Sequence, residues 1–254
     1  MDMFYLIATP IGNLGDITQR ALDTLAEVDY LLAEDTRVTR VLLSRFEIRT
    51  RLVSYHRFNE KEKAPRIIQD LQEGKKVGLV SDAGMPLLQD PGAHLLSLCI
   101  QNHIPLTCIG GISSITVALC LSGFETTPFQ FVGFMPKKQG QREAWIRRVL
   151  AFDGTTVAFI TKSDLSSLIP LFPDNVNVAL VRELTKMHET VLRGSLKEVL
   201  KECIPKGEMV LVIERMHTPP SALQAEALEA LLSEEFPAYK AKRLATKWAK
   251  KLTT

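Results

Sequence analysis

The sequence predicts an α/β fold in two domains, the first built on a parallel sheet and the second on a mixed one. Three observations predict it. Over the first half, short apolar runs alternate with segments of helical period, the rhythm of βαβ units. After Gly123 this gives way to five strand-like runs with fewer helices between them. The chain has 254 residues, is 46% apolar and 24% charged, and carries no long polar tract, so it can bury one large core or two modest ones.

Taken in order, "FYLIAT" is the first strand, and "TQRALDTLAEV" is the helix after it, capped by Asp16 or Thr18. "YLLAE" precedes "TRVTRVLLSRF", "RLVSY" precedes "EKAPRIIQDLQEG", and "KVGLVS" precedes "GAHLLSLCIQN". "IPLTCIG" then leads through a Gly110-Gly111 turn and Ser113 into "SSITVALCLSG". The five later strands are "FQFVGFMP", "TTVAFI", "VNVALVREL", "ETVLRGS" and "GEMVLVIER", with the third and fourth paired antiparallel. "SALQAEALEALLSEE" and the basic tail beyond it are helical by composition and period. The break at "SGFETTP" divides the chain into 1–124, 125–217 and a helical basic tail, 218–254.

Several function classes recede on composition. The first residues, "MDMFYLIATPIGN", lack a basic flank, and no segment is long and apolar enough for a bilayer, so a cytoplasmic protein is expected. The five histidines are scattered and the four cysteines, in apolar surroundings without C-x-x-C spacing, read as buried free thiols. No metal site is expected. The net charge of +2 is unevenly spread: Arg37 to Arg66 holds nine basic residues against three glutamates, 137–148 is basic again, and 239–251 has no acid. Such runs serve as solvated helix faces or as contacts to a polyanion.

In a parallel sheet the residues just after each strand face the ligand side, which selects four loops. They are "TPIGNLGD" (9–16), "EDTR" (34–37), "SDAGMP" (81–86) and "GGISS" (110–114). The first has proline where a dinucleotide fingerprint needs its tight glycine, and no G-x-G-x-x-G occurs in the chain. "LVSDAGMPLLQDPG" (79–92) has more turn chemistry than a plain connection requires. "GGISS" offers two glycines for close approach and a helix N-terminus for a carboxylate, while Asp82 and exposed backbone lie one loop away. A zwitterion such as the methionine part of S-adenosylmethionine suits that pair.

Five stretches, "YLIATPIGNLGDIT", "AEDTRVTRVLL", "VSDAGMPLLQDPG", "GFMPKKQGQR" and "VRELTKMHE", occur in this order from about Phe4 to about Arg215. Together they resemble the ribosomal RNA small subunit methyltransferase I family of the tetrapyrrole methylase superfamily, the class III methyltransferases. The resemblance implies S-adenosylmethionine as methyl donor, held by Pro10, Asp82, Gly84, Met85, Ser113 and Ser114 in a cleft between the domains. It implies 2'-O-methylation of a cytidine ribose in the decoding region of 16S ribosomal RNA, within the small ribosomal subunit, by a homodimer. The chain departs from the family pattern at Met85, where threonine is usual, and at Gly110-Gly111-Ile112-Ser113, where P-G-P-S is usual. It departs again at "FITKSDL" (159–165), where a Ser-Pro-His-Arg segment is usual.

A ribose hydroxyl is a weak nucleophile, so a carboxylate or a lysine of lowered pKa is sought to take its proton. The candidates are Glu183 and Lys186 in "RELTK", and Glu34 and Asp35 in "EDTR"; ion pairs such as Arg182 with Glu183, or Asp35 with Arg37, are the plainer use of the same residues. Arg37, Arg40, Lys137, Lys138 and Arg142 are candidate phosphate contacts, and Tyr55, Phe58 and Trp145 are either core anchors or stacking surfaces. Two other functions share parts of this pattern. A methyltransferase acting on a tetrapyrrole precursor needs the donor loops without the basic surface, and a non-catalytic RNA-binding protein needs the reverse.

Overall fold

The computed structural model describes residues 3–168, 172–173, 176–204, 206–215, 229–230, 233 and 237–252, with side chains outside 165–167 and 247–252. They form two compact units: the first holds the chain up to Val117 together with Glu183–Glu189, and the second holds Ala118–Arg182 and the chain from Thr190 on.

In the first unit, strands β1 (Phe4–Ile7), β2 (Tyr30–Ala33), β3 (Arg51–Ser54), β4 (Val77–Val80) and β5 (Leu106–Ile109) form one sheet in the order β3-β2-β4-β1-β5. All its pairs are parallel. Helices α1 (Gln19–Glu27), α2 (Thr36–Arg45), α3 (Glu60–Gln72) and α4 (Ala93–Gln101) alternate with the strands, and α5 (Ser114–Ser122) follows β5, only its first four residues belonging to this unit. Period-2 alternation sorts the strand residues onto two faces. Tyr30, Leu32, Val77 and Leu79 pack with Ile67, Ile68 and Leu71 of α3 and with Leu95 and Cys99 of α4. Leu31, Ala33, Ile7 and Val80 pack with Ala21 and Leu25 of α1 and with Leu43 of α2. Both faces of the inner strands are therefore covered, as a parallel sheet requires.

Local chemistry sets the helix ends. Of the two candidate caps for α1, Thr18 is the one used, its hydroxyl accepting from the Ala21 N–H at 3.1 Å. α3 starts at Glu60, two residues before the expected start, and carries Pro65 inside it. As the sixth helical residue, that proline has no N–H for the Lys61 carbonyl, which its ring also crowds.

In the second unit, β6 (Phe129–Phe134), β7 (Thr155–Ile160), β8 (Asn177–Arg182), β9 (Thr190–Ser195) and β10 (Met209–Ile213) form a sheet in the order β6-β7-β10-β8-β9. β6 and β7 run parallel and the other pairs antiparallel, so the sheet is mixed. Helices α6 (Gln139–Ala151), α7 (Lys162–Leu168), α8 (Leu196–Glu202) and α9 (Ala238–Leu252) complete the described elements. The basic tail is helical as expected. Most of "SALQAEALEALLSEE" lies outside the described residues.

The cysteines correct the expectation of four buried thiols. All four are free, but only Cys99 is buried; Cys108 and Cys120 are exposed and Cys203 is intermediate. Cys108 lies on β5, an edge strand with no outer neighbour among the described residues, and apolar sequence context does not distinguish an edge from the centre of a sheet.

Candidate functional site

Strand register places the loops. Ile7 is paired with both Val80 and Ile109, and Ala33 with both Val80 and Ser54, so all five strands end at one level. The loops after β1, β2, β4 and β5 consequently leave the sheet side by side.

Three of them meet at the β1 loop, the β4 loop through Gly84 and the β5 loop through Gly111. An isolated antiparallel bridge joins Thr9 and Gly84, with the Thr9 N–H donating to the Gly84 carbonyl at 2.9 Å and the Gly84 N–H to the Thr9 carbonyl at 3.1 Å. The Thr9 hydroxyl donates to the Ser81 carbonyl and the Ser81 hydroxyl to the Gly84 carbonyl, each at 3.1 Å. Gly84 has φ of +82°, and a Cβ there would lie 3.1 Å from Ile11 and 3.9 Å from the Ile112 carbonyl. Gly111 is equally constrained, since its Cβ would stand 2.7 Å from that of Ala8. Gly110, by contrast, borders open space, and a Cβ there would meet no atom within 4 Å. The loops carrying Pro10, Asp82, Gly84, Met85, Ser113 and Ser114 thus form one cradle with room beside Gly110. Ser113 immediately precedes α5, and the free N–H groups of that helix start point the way an anionic group is received. These residues fit a zwitterionic methyl donor.

The loop after β2 joins the same set. The Asp35 N–H donates to Asp82 Oδ1 at 3.1 Å. Asp35 caps α2 and binds Arg37 through two nitrogens, Nε at 3.0 Å and Nη2 at 2.6 Å. Its hydrogen bonds from Arg37 hold its carboxyl down at about 2, which makes it a poor proton acceptor at neutral pH.

Asp90, at the far end of the β4 loop, shows the opposite behaviour. Burial, then Glu34, then Asp82 push its carboxyl up to about 6, against the opposing effect of Arg57. Sequence reasoning misses Asp90. Its signal there is slight, a second aspartate in a glycine- and proline-rich loop, and Glu34, which helps to set it apart, follows another strand.

Glu183 and Lys186 also reach this group of loops. A Cβ on Gly12 would lie 2.5 Å from Lys186 Cγ and 2.9 Å from the Leu184 carbonyl, and the Asn13 N–H donates to Thr185 Oγ1 at 3.0 Å. Lys186 Nζ stands 3.1 Å from Glu183 Oε1, so Glu183 pairs with Lys186; the Arg182 guanidinium donates instead to the Lys206 carbonyl and to Thr190. Of six non-glycine residues at positive φ among those described, Leu87, Gln89, Glu183 and Thr185 lie in this loop and the β4 loop. The other two, Glu47 and His103, follow helix C-termini, where the conformation is ordinary.

The cations are dispersed. Arg40 is exposed on α2, and Lys137 and Lys138 are exposed just before α6. Arg142 is partly committed, its Nε donating to the Pro136 carbonyl at 3.1 Å. Among the aromatic candidates, Tyr55 and Trp145 are buried and Phe58 is exposed. Among the described residues no group of three or more His, Cys, Asp or Glu could hold a metal, and no helix is long and apolar enough to cross a membrane.

Residues 3–200 match the family model of the tetrapyrrole (corrin/porphyrin) methylases. Two solved structures share the fold. Diphthine synthase superposes with a TM-score of 0.69 at 17% identity, over 84% of this chain and 89% of that one. Uroporphyrin-III-C-methyltransferase from Thermus thermophilus superposes with a TM-score of 0.58 at 19% identity, over 85% and 95%. Fold and family model together define a methyltransferase of this superfamily.

Closer relatives narrow the class. The ribosomal RNA small subunit methyltransferase I of Halalkalibacterium halodurans is 42% identical over 83% of this chain and 75% of its own length. The proteins of that name from Mycoplasmopsis pulmonis and Mesorhizobium japonicum are 41% identical over 84% and 97%, and 39% identical over 96% and 86%. The chain belongs to the ribosomal RNA small subunit methyltransferase I family, within the tetrapyrrole methylases.

Proposed function

We propose that the protein transfers the methyl group of S-adenosylmethionine to the ribose 2'-oxygen of a cytidine in the decoding region of 16S ribosomal RNA, as a cytoplasmic homodimer acting on the small ribosomal subunit. The observation that carries the reading is the meeting of the β4 and β5 loops on the β1 loop, through Gly84 and Gly111, in a chain whose relatives at about 40% identity are named small-subunit rRNA methyltransferases. The donor supplies an electrophilic methyl on a positively charged sulfur. The loop residues Pro10, Asp82, Gly84, Met85, Ser113 and Ser114 hold and orient it.

Positioning carries much of such a reaction, because an in-line displacement with a good leaving group needs alignment above all. In the transfer an O–C bond forms, the S–C bond breaks, its electron pair stays on sulfur, and the hydroxyl proton passes to a base. Asp35 is poorly suited, being tied to Arg37. Glu34, the Glu183–Lys186 pair and Asp90 remain. Asp90 has the basicity that suits a proton acceptor near neutrality, and Lys186 with Glu183 lies against the β1 loop at Gly12. Arg37, Arg40, Lys137, Lys138 and Arg142 supply phosphate contacts, which fix affinity without choosing sequence.

The dimer is supported by apolar exposure on an unpaired edge. Leu106 and Cys108 are exposed on one face of β5, the last strand of its sheet, and a second copy covering them buries that apolar surface. Mass spectrometry of 16S rRNA from cells with and without the gene tests the assignment. Loss of one 2'-O-methylcytidine on deletion is expected; an unaltered modification pattern contradicts it.

A further inference from the structure

We propose that Phe58 is a stacking platform for an unpaired base of the RNA substrate, presented by a braced turn at the ligand side of the first sheet; the proposal rests on the rRNA reading above and adds a contact to it. β3 is an edge strand whose last residue, Ser54, is level with Ala33 of β2. The turn after it therefore emerges on the same side as the donor loops. Tyr55 continues the ladder by one bond, its N–H donating to the Ala33 carbonyl at 2.8 Å, and its side chain is wholly buried. The chain then turns outward at Arg57 and Phe58.

Asn59 closes the turn from both ends. Its Oδ1 accepts from the His56 N–H at 2.9 Å, its Nδ2 donates to the Ser54 carbonyl at 3.3 Å, and its own N–H donates to the His56 carbonyl at 3.0 Å. Lys63 Nζ adds a bond to the Ser54 carbonyl at 2.6 Å. Arg57 Nη2 donates to the Gln89 carbonyl at 2.5 Å, which ties the tip of the turn to the β4 loop that carries Asp82 and Gly84. The tip is held, and it is held to the donor loop.

On this support Phe58 is 97% exposed, with one ring neighbour among the described residues: His56, whose centroid is 6.0 Å away at 65°. A ring so exposed contributes almost nothing to folding through burial. Scattered exposed apolar residues are ordinary on any surface, so exposure alone says little. What singles out Phe58 is the brace beneath it, its place beside the donor loop, and the exposed cations near it in sequence, Arg57 and Lys61, with Glu62 as the exposed acid and Glu60 half-buried. An aromatic face flanked by cations is the pairing that takes up an unstacked base regardless of its identity.

The test measures binding of a single-stranded oligoribonucleotide containing 2-aminopurine, whose fluorescence falls on stacking, together with methyl transfer to 30S subunits. Phe58→Ala is expected to weaken RNA affinity roughly 5- to 100-fold and to raise KM for 30S subunits, with donor affinity and melting temperature unchanged. Phe58→Trp is expected to restore both quenching and affinity, and Phe58→Leu neither. RNA affinity unchanged in Phe58→Ala, or a leucine variant as good as the tryptophan, overturns the proposal. Failure of the rRNA reading shows separately, as an unsubstituted protein that transfers no label to 30S subunits, and an unsubstituted protein that also leaves the fluorescence unquenched overturns the stacking proposal.

Discussion

Asp90 lies in the loop after β4, and the fold sets its carboxyl apart from an ordinary aspartate. Burial and two neighbouring acids raise the Asp90 carboxyl from its ordinary 3.8 to about 6. Between those values the folded chain holds a proton that the unfolded chain has lost, so stability falls as pH rises through the window and stays lower at pH 7. A shift of that size corresponds to about 3 kcal/mol, and screening at a partly exposed site reduces the effect to on the order of 1 kcal/mol. Asp90→Asn is therefore expected to raise the melting temperature at pH 7 by a few degrees and to flatten its dependence between about pH 4 and 6. Thermal melts identical to the parent across that range would contradict the assignment. None of this was legible in the sequence, because the neighbours that distinguish Asp90 include Glu34, which follows a different strand. The Asp35–Arg37 pair was legible, since a helix-capping aspartate two residues before an arginine can reach it locally.

At the scale of elements, much of the fold could be read directly. Short continuous apolar runs such as "YLLA" and "VGLV", buried at every position, alternate with segments of helical period and give the strands and helices of the first sheet. Strand order is different in kind. β1 lies between β4 and β5, and nothing local in "FYLIAT" says so. That order is what brings the loops after β1, β4 and β5 together, so the cradle could be anticipated only by assuming that parallel strands end together. Two glycines now separate folding from binding. Gly84→Ala forces a left-handed residue and is expected to cost about 1–2 kcal/mol. Gly110→Ala meets no neighbouring atom, so it should leave the melting temperature unchanged while weakening S-adenosylmethionine binding several-fold by calorimetry. Full donor affinity in Gly110→Ala would move the donor away from that loop.

For the whole molecule, charge and connectivity matter more than any single element. Glu183–Glu189 leaves the second sheet between β8 and β9 and packs as part of the first unit, a return that no composition or spacing reveals. Its sequence signature, "VRELTKMHE", was visible only as a family resemblance. The basic runs were visible, but their availability was not: Arg37 is bound to Asp35 and Arg142 to the Pro136 carbonyl, whereas Arg40, Lys137 and Lys138 stand exposed. Replacing each of those three by alanine is expected to reduce the magnitude of the log-log salt slope of RNA binding by roughly 0.7 to 0.9, with smaller changes at Arg37 and Arg142. Equal slopes for parent and triple variant would remove these residues from the RNA surface. The proposed ribose methylation is tested most directly by incubating the purified protein with methyl-labelled S-adenosylmethionine and 30S subunits, then digesting the RNA to nucleosides. It predicts label in 2'-O-methylcytidine; label on a base, or none in RNA and all of it in a tetrapyrrole precursor offered alongside, would contradict it.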